Sequence, residues 1–166
     1  MIYEFCAENV TLLEKAMQAG ARRIELCDNL AVGGTTPSYG VTKAAVELAA
    51  NYDTTIMTMI RPRGGDFVYN DLEIAIMLED IRLTAQAGSQ GVVFGALTAD
   101  KKLDKPNLEK LIAASKGMEI VFHMAFDELG DEDQLEAIDW LSQAGVQLIF
   151  ITQFIKGHVE DNFHSF

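Results

Sequence analysis

An apolar run in the first half of the chain ends in a loop that carries two guanidinium groups. The run Thr55–Ile60 is typical of a buried strand, and the next six residues read Arg-Pro-Arg-Gly-Gly-Asp. Proline and glycine there turn the backbone and let it approach a ligand closely, and guanidinium forks suit carboxylate or phosphate groups. In the alternative interpretation, one arginine pairs with a structural carboxylate and the glycines only turn the chain. The segment predicts an anion site formed by Arg61, Arg63, Gly64, Gly65 and Asp66.

Four titratable side chains near predicted strand ends could transfer protons: Glu4, Glu25, His123 and Asp127. Side chains alternate between the two faces of a strand, so Glu4 and Glu25 should both point to the inside of the fold. Buried carboxylates need partners, and we expect these to be Arg61, Arg63 or His123. His123 could act as a general acid or base whose pKa is set by Glu4, Glu25 or Asp127. A structural ion-pair network is the alternative.

The chain has two cysteines, Cys6 and Cys27. Each lies two residues after one of the inward glutamates, so both thiols should face inward as neighbours. Two thiolates close together suit Cu(I), which is a soft ion. The alternative is that both are reduced core residues, because buried cysteine packs as a small hydrophobe. Cys6 and Cys27 are therefore a candidate metal site, with Cu(I) as the candidate cofactor.

Strand-like and helix-like patterns alternate along the whole chain, which predicts a parallel sheet covered by helices. The sequence Gln-Ala-Gly ends a predicted helix three times, at 18–20, 86–88 and 143–145, as expected of a repeated βα unit. We predict an α/β fold of the TIM-type (β/α) barrel kind, although doubly wound sheets have units of similar size. The predicted strands are Ile2–Cys6, Arg23–Cys27, Thr55–Ile60, Gly91–Ala96, Glu119–Met124 and Gln147–Thr152.

The predicted barrel is incomplete, with about six βα units in a single domain that spans residues 1–166. A closed barrel of this kind has about eight strands, so strand edges should remain unpaired. Phe154, Phe163 and Phe166 could cover part of the opening. The last strand is strongly apolar, and we expect it to recruit a second copy of the chain into a homo-oligomer.

Composition excludes several classes of partner. The net charge of −12 and a pI near 4.5 leave no basic surface for nucleic acid or for an anionic membrane. The N-terminus shows no signal-peptide pattern and no apolar run reaches the length of a membrane span. We therefore expect a cytoplasmic protein whose partners are a copper ion or a small anionic metabolite.

Four segments together resemble the CutC family of copper homeostasis proteins, in order along the chain. They are Glu25-Leu26-Cys27, residues 33–40 (Gly-Gly-Thr-Thr-Pro-Ser-Tyr-Gly), residues 60–67 with Tyr69, and residues 122–127 (Phe-His-Met-Ala-Phe-Asp). The resemblance covers nearly all of residues 1–152, and the Arg-Pro-Arg-Gly-Gly-Asp-Phe string is its most specific part. It implies a TIM-type barrel, a cytoplasmic location and a role in copper homeostasis.

The chain departs from the family pattern in three places. Met124 stands where the family usually has arginine, Thr152-Gln153-Phe154 replaces a usual Thr-x-Gly-Gly turn, and the last strands and helices are absent. Three functions therefore remain open. The first is copper binding within copper homeostasis, and the second is a TIM-barrel enzyme of unknown reaction that acts on a small carboxylate or phosphate metabolite. The third is a degenerate, inactive scaffold.

Overall fold

The structure is a computed structural model that describes residues 3–151. Strands and helices alternate over this range, as the sequence predicts. The strands are β1 Glu4–Glu8, β2 Arg23–Cys27, β3 Thr55–Met59, β4 Gly91–Phe94, β5 Glu119–Phe122 and β6 Leu148–Ile149. The helices are α1 Leu13–Gln18, α2 Tyr39–Ala49, α3 Asp71–Ala87, α4 Lys105–Ala114 and α5 Asp131–Gln143, with 3₁₀ turns at Leu30–Val32 and Met124–Glu128.

All six strands form one parallel sheet in the order β1-β2-β3-β4-β5-β6. Each strand therefore pairs with its neighbours in sequence, which is the connectivity of a (β/α) barrel and not of a doubly wound sheet. The sheet curls into a half-barrel, so the prediction of an incomplete TIM-type fold is confirmed. Within residues 3–151, β1 and β6 each have one unpaired edge.

The four central strands begin at the predicted residues, but β3, β4 and β5 end one or two residues earlier than predicted. The first strand runs from Glu4 to Glu8, further along the chain than the predicted Ile2–Cys6, and the last covers only Leu148–Ile149. Several predicted features lie outside the described residues: Ile2, the turn that begins at Thr152, Phe154, Phe163 and Phe166. The predicted cover of the barrel opening is therefore among them.

The repeated Gln-Ala-Gly sequence ends helices as expected. Gly20, Gly88 and Gly145 have φ angles of 100°, 89° and 92°, a left-handed conformation that glycine adopts without steric cost. The start of α3 is equally well defined, because Asn70 and Glu73 form a reciprocal capping box. Since α3 follows the Arg-Pro-Arg-Gly-Gly loop, this cap fixes the loop at its far end.

The core has two layers. The helices pack on the outer face of the sheet, where Ile24, Leu26 and Ile56 belong to one buried cluster and Phe94 and Phe122 to another. The inner face carries a smaller cluster. Its members are Cys27, Met57, Met59, Val93 and Val121. None of the helices within residues 3–151 combines the length and the apolarity that a bilayer crossing requires.

Candidate functional site

The two thiols meet on the inner face of β1 and β2, as the alternation along these strands predicts. Cys6 lies opposite Glu25 in the parallel ladder, and the sulfur atoms of Cys6 and Cys27 are 4.0 Å apart. Glu25 Oε1 accepts from both thiols, at 3.8 Å from Cys6 and 3.7 Å from Cys27. Cys6 is exposed and Cys27 is buried, and both cysteines are free. The three side chains could together offer an ion two sulfurs and one oxygen.

The two thiols differ in acidity. The hydrogen bond from Cys27 lowers the pKa of Cys6, whereas that same bond and burial raise the pKa of Cys27. Cys6 is therefore the first of the two to become a thiolate, and the buried Cys27 thiol donates a hydrogen bond to it. Burial, together with the nearby Glu4 carboxylate, raises the pKa of Glu25. The cluster can thus hold protons on Glu25 and Cys27, which a metal ion would displace.

Glu4 has a partner that the sequence reasoning missed. Arg23 Nε lies 2.8 Å from Glu4 Oε2, and Arg23 Nη1 donates to Glu119 Oε1 at 2.6 Å. The expectation that Arg61, Arg63 or His123 pairs with Glu4 is therefore wrong, because a cation on the neighbouring strand is closer. Arg23 precedes Glu25 by two residues, so the same alternation along β2 could have identified it.

Arg61 is 2% exposed, and its fork faces the chain itself. Its Nη1 donates to the carbonyls of Val32 and Gly34, and its Nη2 donates to the carbonyl of Gly65. The Arg61 backbone is held as well, since its N–H donates to Thr36 Oγ1 and its carbonyl accepts from the Thr36 N–H. This arginine therefore fixes the loop after β3 to the loop after β2.

Arg63 is likewise engaged by its own loop. Its Nη2 donates to Asp66 Oδ1 at 3.0 Å and to the Val68 carbonyl at 2.8 Å, and its Nε donates to Glu73. These bonds lower the pKa of both Asp66 and Glu73. Gly64 packs against Val32 so closely that a Cβ there would lie 2.8 Å from it. Anion binding by the two forks stays a prediction, which requires these internal bonds to open.

His123 is completely buried. Burial and the charge of Arg61 lower its pKa to about 3, so Glu4, Glu25 and Asp127 are not the cause. Its Nδ1 accepts from the Ala125 N–H at 3.2 Å, and its ring lies 4.9 Å from the ring of Phe67. Asp127 lies half-buried in the 3₁₀ turn that follows.

The predicted constellation thus divides into two groups. An open pocket of about 530 Å³ occupies the mouth of the half-barrel. It is lined by Glu4, Cys6, Glu25, Leu30, Gly33, Met124, Leu148 and Phe150. Arg61, Arg63 and His123 lie outside this lining, as does the buried Cys27. Met124 adds a thioether to the pocket.

The chain resembles known proteins over most of its length. The CutC family model matches residues 1–162. CutC family proteins of Enterococcus faecalis and Bacteroides thetaiotaomicron are 51% and 44% identical over 98% and 82% of the chain. The chain spans 78% of the first relative and 54% of the second.

Solved structures support the same family relationship. The CutC protein of Streptococcus agalactiae superposes with a TM-score of 0.88 at 48% identity, over 91% of this chain and 72% of that one. A Schiff-base-forming fructose-1,6-bisphosphate aldolase shares the fold at a TM-score of 0.58 and 16% identity, over 84% of this chain and 53% of its own. With the sequence match and the half-barrel in agreement, the chain belongs to the CutC family.

Proposed function

We propose that the chain binds Cu(I) through Cys6 and Cys27 and serves in copper handling. The observation that supports this most directly is the 4.0 Å separation of two free thiols, of which Cys6 lines an open pocket. Metal–sulfur bonds are about 2.3 Å long, so two sulfurs around one ion lie at most about 4.6 Å apart. The pair can therefore hold an ion with little movement of β1 or β2.

The donor set favours a soft ion. Two sulfurs and the Glu25 carboxylate make three donors, whereas structural zinc sites use four ligands. Cu(I) prefers thiolate and thioether ligands, and the Met124 thioether lines the same pocket. The Streptococcus agalactiae relative bears the name copper homeostasis protein, which agrees with this assignment.

An anaerobic Cu(I) titration against a competing chelator tests the proposal. We expect about one ion per chain for the wild type and a loss of high-affinity uptake in the Cys6→Ser/Cys27→Ser variant. Glu25→Gln keeps both thiols and removes only the carboxylate, so it should weaken binding less than the double substitution does. Equal uptake by the wild type and the cysteine variant would exclude this site.

A second candidate function, an enzyme that acts on a small carboxylate or phosphate metabolite, rests on Glu25. Burial raises the pKa of this carboxyl group at the edge of an open pocket, which is the property of a general acid or base. Glu4 lines the same pocket. Melting curves with a panel of phosphorylated and carboxylated metabolites test this candidate, and a compound that stabilises the wild type but not Glu25→Gln would support it.

A further inference from the structure

Three buried polar atoms close to one another lack a hydrogen-bond partner within residues 3–151. They are Arg61 Nε, Tyr69 Oη and His123 Nε2. The three side chains are 2%, 7% and 0% exposed. Roughly nine in ten buried polar groups in proteins have a partner, because an unpaired one costs free energy. Three such atoms therefore indicate a missing acceptor.

Arg61 and His123 both lie against Phe67. The guanidinium carbon of Arg61 lies 4.8 Å from the centre of the Phe67 ring, and the His123 ring lies 4.9 Å from it. Tyr69 follows Phe67 by two residues. Burial raises the pKa of Tyr69 to about 12, whereas the charge of Arg61 and the approach of its guanidinium to the Tyr69 hydroxyl lower it. Arg61 also lowers the pKa of His123. The charge of Arg61 therefore acts on both neighbours.

The hydrogen bond at His123 Nδ1 identifies the protonated ring nitrogen. Because Nδ1 accepts from the Ala125 N–H, it carries a lone pair, and the neutral ring must hold its proton on Nε2. All three unpartnered atoms can thus donate: a guanidinium N–H, a phenol O–H and an imidazole N–H. An acceptor oxygen is the group that would satisfy them.

Arg61 also brings a charge that takes part in no ion pair within residues 3–151. Its terminal nitrogens donate to neutral backbone carbonyls. We propose that Arg61 Nε, Tyr69 Oη and His123 Nε2 bind an oxygen atom of a phosphoryl or carboxylate group. This site uses the Nε edge of Arg61, not its fork, and does not depend on the copper proposal.

The proposed ligand would reach these donors past Phe67. Its ring also lines an open pocket of about 580 Å³, together with Gly65, Val68 and Lys101. Rotation of this one side chain would connect the pocket with the donors. Gly65 has a φ angle of 86°, which lets the loop that carries Phe67 turn sharply.

The test uses inorganic phosphate and acetate as separate probes. In protein with ¹⁵N-labelled histidine, the His123 ring should show the Nε2–H tautomer, and the probe that binds should shift this signal saturably. A response to phosphate alone assigns a phosphoryl group, and a response to acetate alone assigns a carboxylate. A His123 signal that neither probe shifts would overturn the proposal.

Tyr69→Phe removes one donor and keeps the ring, with Tyr52→Phe as the control. The Tyr52 hydroxyl donates to Glu14 near the surface, away from Phe67. We expect Tyr69→Phe to weaken binding of the active probe about ten-fold or more and Tyr52→Phe to leave it unchanged. Equal binding of the active probe by Tyr69→Phe and the wild type would overturn the proposal.

Discussion

Arg23 on β2 donates to Glu119 on β5 over 2.6 Å, although β3 and β4 separate these strands in the sheet. The contact can form only across the inside of the curled sheet. Arg23 also pairs with Glu4 on β1, so one guanidinium joins three strands. It thereby holds the curvature that brings β1 and β2, with their thiols, to the mouth of the half-barrel.

Arg23→Met should destabilise the fold by about 1–3 kcal/mol, because it leaves two carboxylates without their partner. The Arg23 side chain is 11% exposed but those of Glu4 and Glu119 are 31% and 37% exposed, which limits the loss. Urea denaturation measures the change. Arg82→Met removes an exposed pair with Glu79 within α3 and should have no measurable effect. Equal losses in the two variants would contradict a bracing role for Arg23.

Gly95→Ala should destabilise the protein by about 1–3 kcal/mol through steric conflict. A Cβ at Gly95 would lie 2.7 Å from His123 Cε1 and 2.8 Å from its Nδ1, and the ring is too tightly enclosed to move away. Gly40→Ala is the matched control, since its nearest neighbour would be Ser38 Oγ at 3.9 Å and alanine favours the helix. In thermal unfolding experiments, Gly95→Ala should melt at a lower temperature than the wild type, and Gly40→Ala should not.

His123 should make stability depend on pH below neutrality. Its folded pKa is about 3 against an ordinary value of 6.5, so between these values the unfolded chain binds the extra proton. Stability is therefore full above pH 6.5 and falls as the pH is lowered, by up to about 1.4 kcal/mol per pH unit. His123→Gln cannot take up this proton and should show a shallower slope between pH 6.5 and 4. Parallel stability curves for the two proteins would show that His123 does not titrate on unfolding.

The edges of β1 and β6 that are unpaired within residues 3–151 should cause self-association at micromolar concentration. Tyr3 on the β1 side is 63% exposed, and Leu148 and Phe150 on the β6 side are 40% and 43% exposed. Exposed apolar edges recruit further chains. Phe150→Lys should shift sedimentation toward the monomer, whereas Leu72→Lys should not, because this 71% exposed residue lies on α3, between the central strands β3 and β4. A wild type that sediments as a monomer throughout would contradict this prediction.

The sequence predicts the backbone and the inward positions well, because both follow from periodicity. Alternation along β1 and β2 correctly places Cys6, Glu25 and Cys27 together. It does not determine the direction of long side chains in loops. Arg61 turns toward the carbonyls of Val32, Gly34 and Gly65, and local pattern gives no sign of acceptors that lie 27 and 29 residues away in sequence. The Arg23–Glu119 contact could not be predicted for the same reason, because its two partners are 96 residues apart in sequence.

The order of the strands has a consequence for how the protein folds during synthesis. Because each strand pairs only with its neighbours in sequence, every βα unit that leaves the ribosome meets a partner that has already emerged. The sheet can therefore grow from its N-terminal edge one strand at a time, without waiting for distant segments. The link between Arg23 and Glu119 would then form only when β5 arrives, which makes it a marker for the moment at which the growing sheet acquires its final curvature.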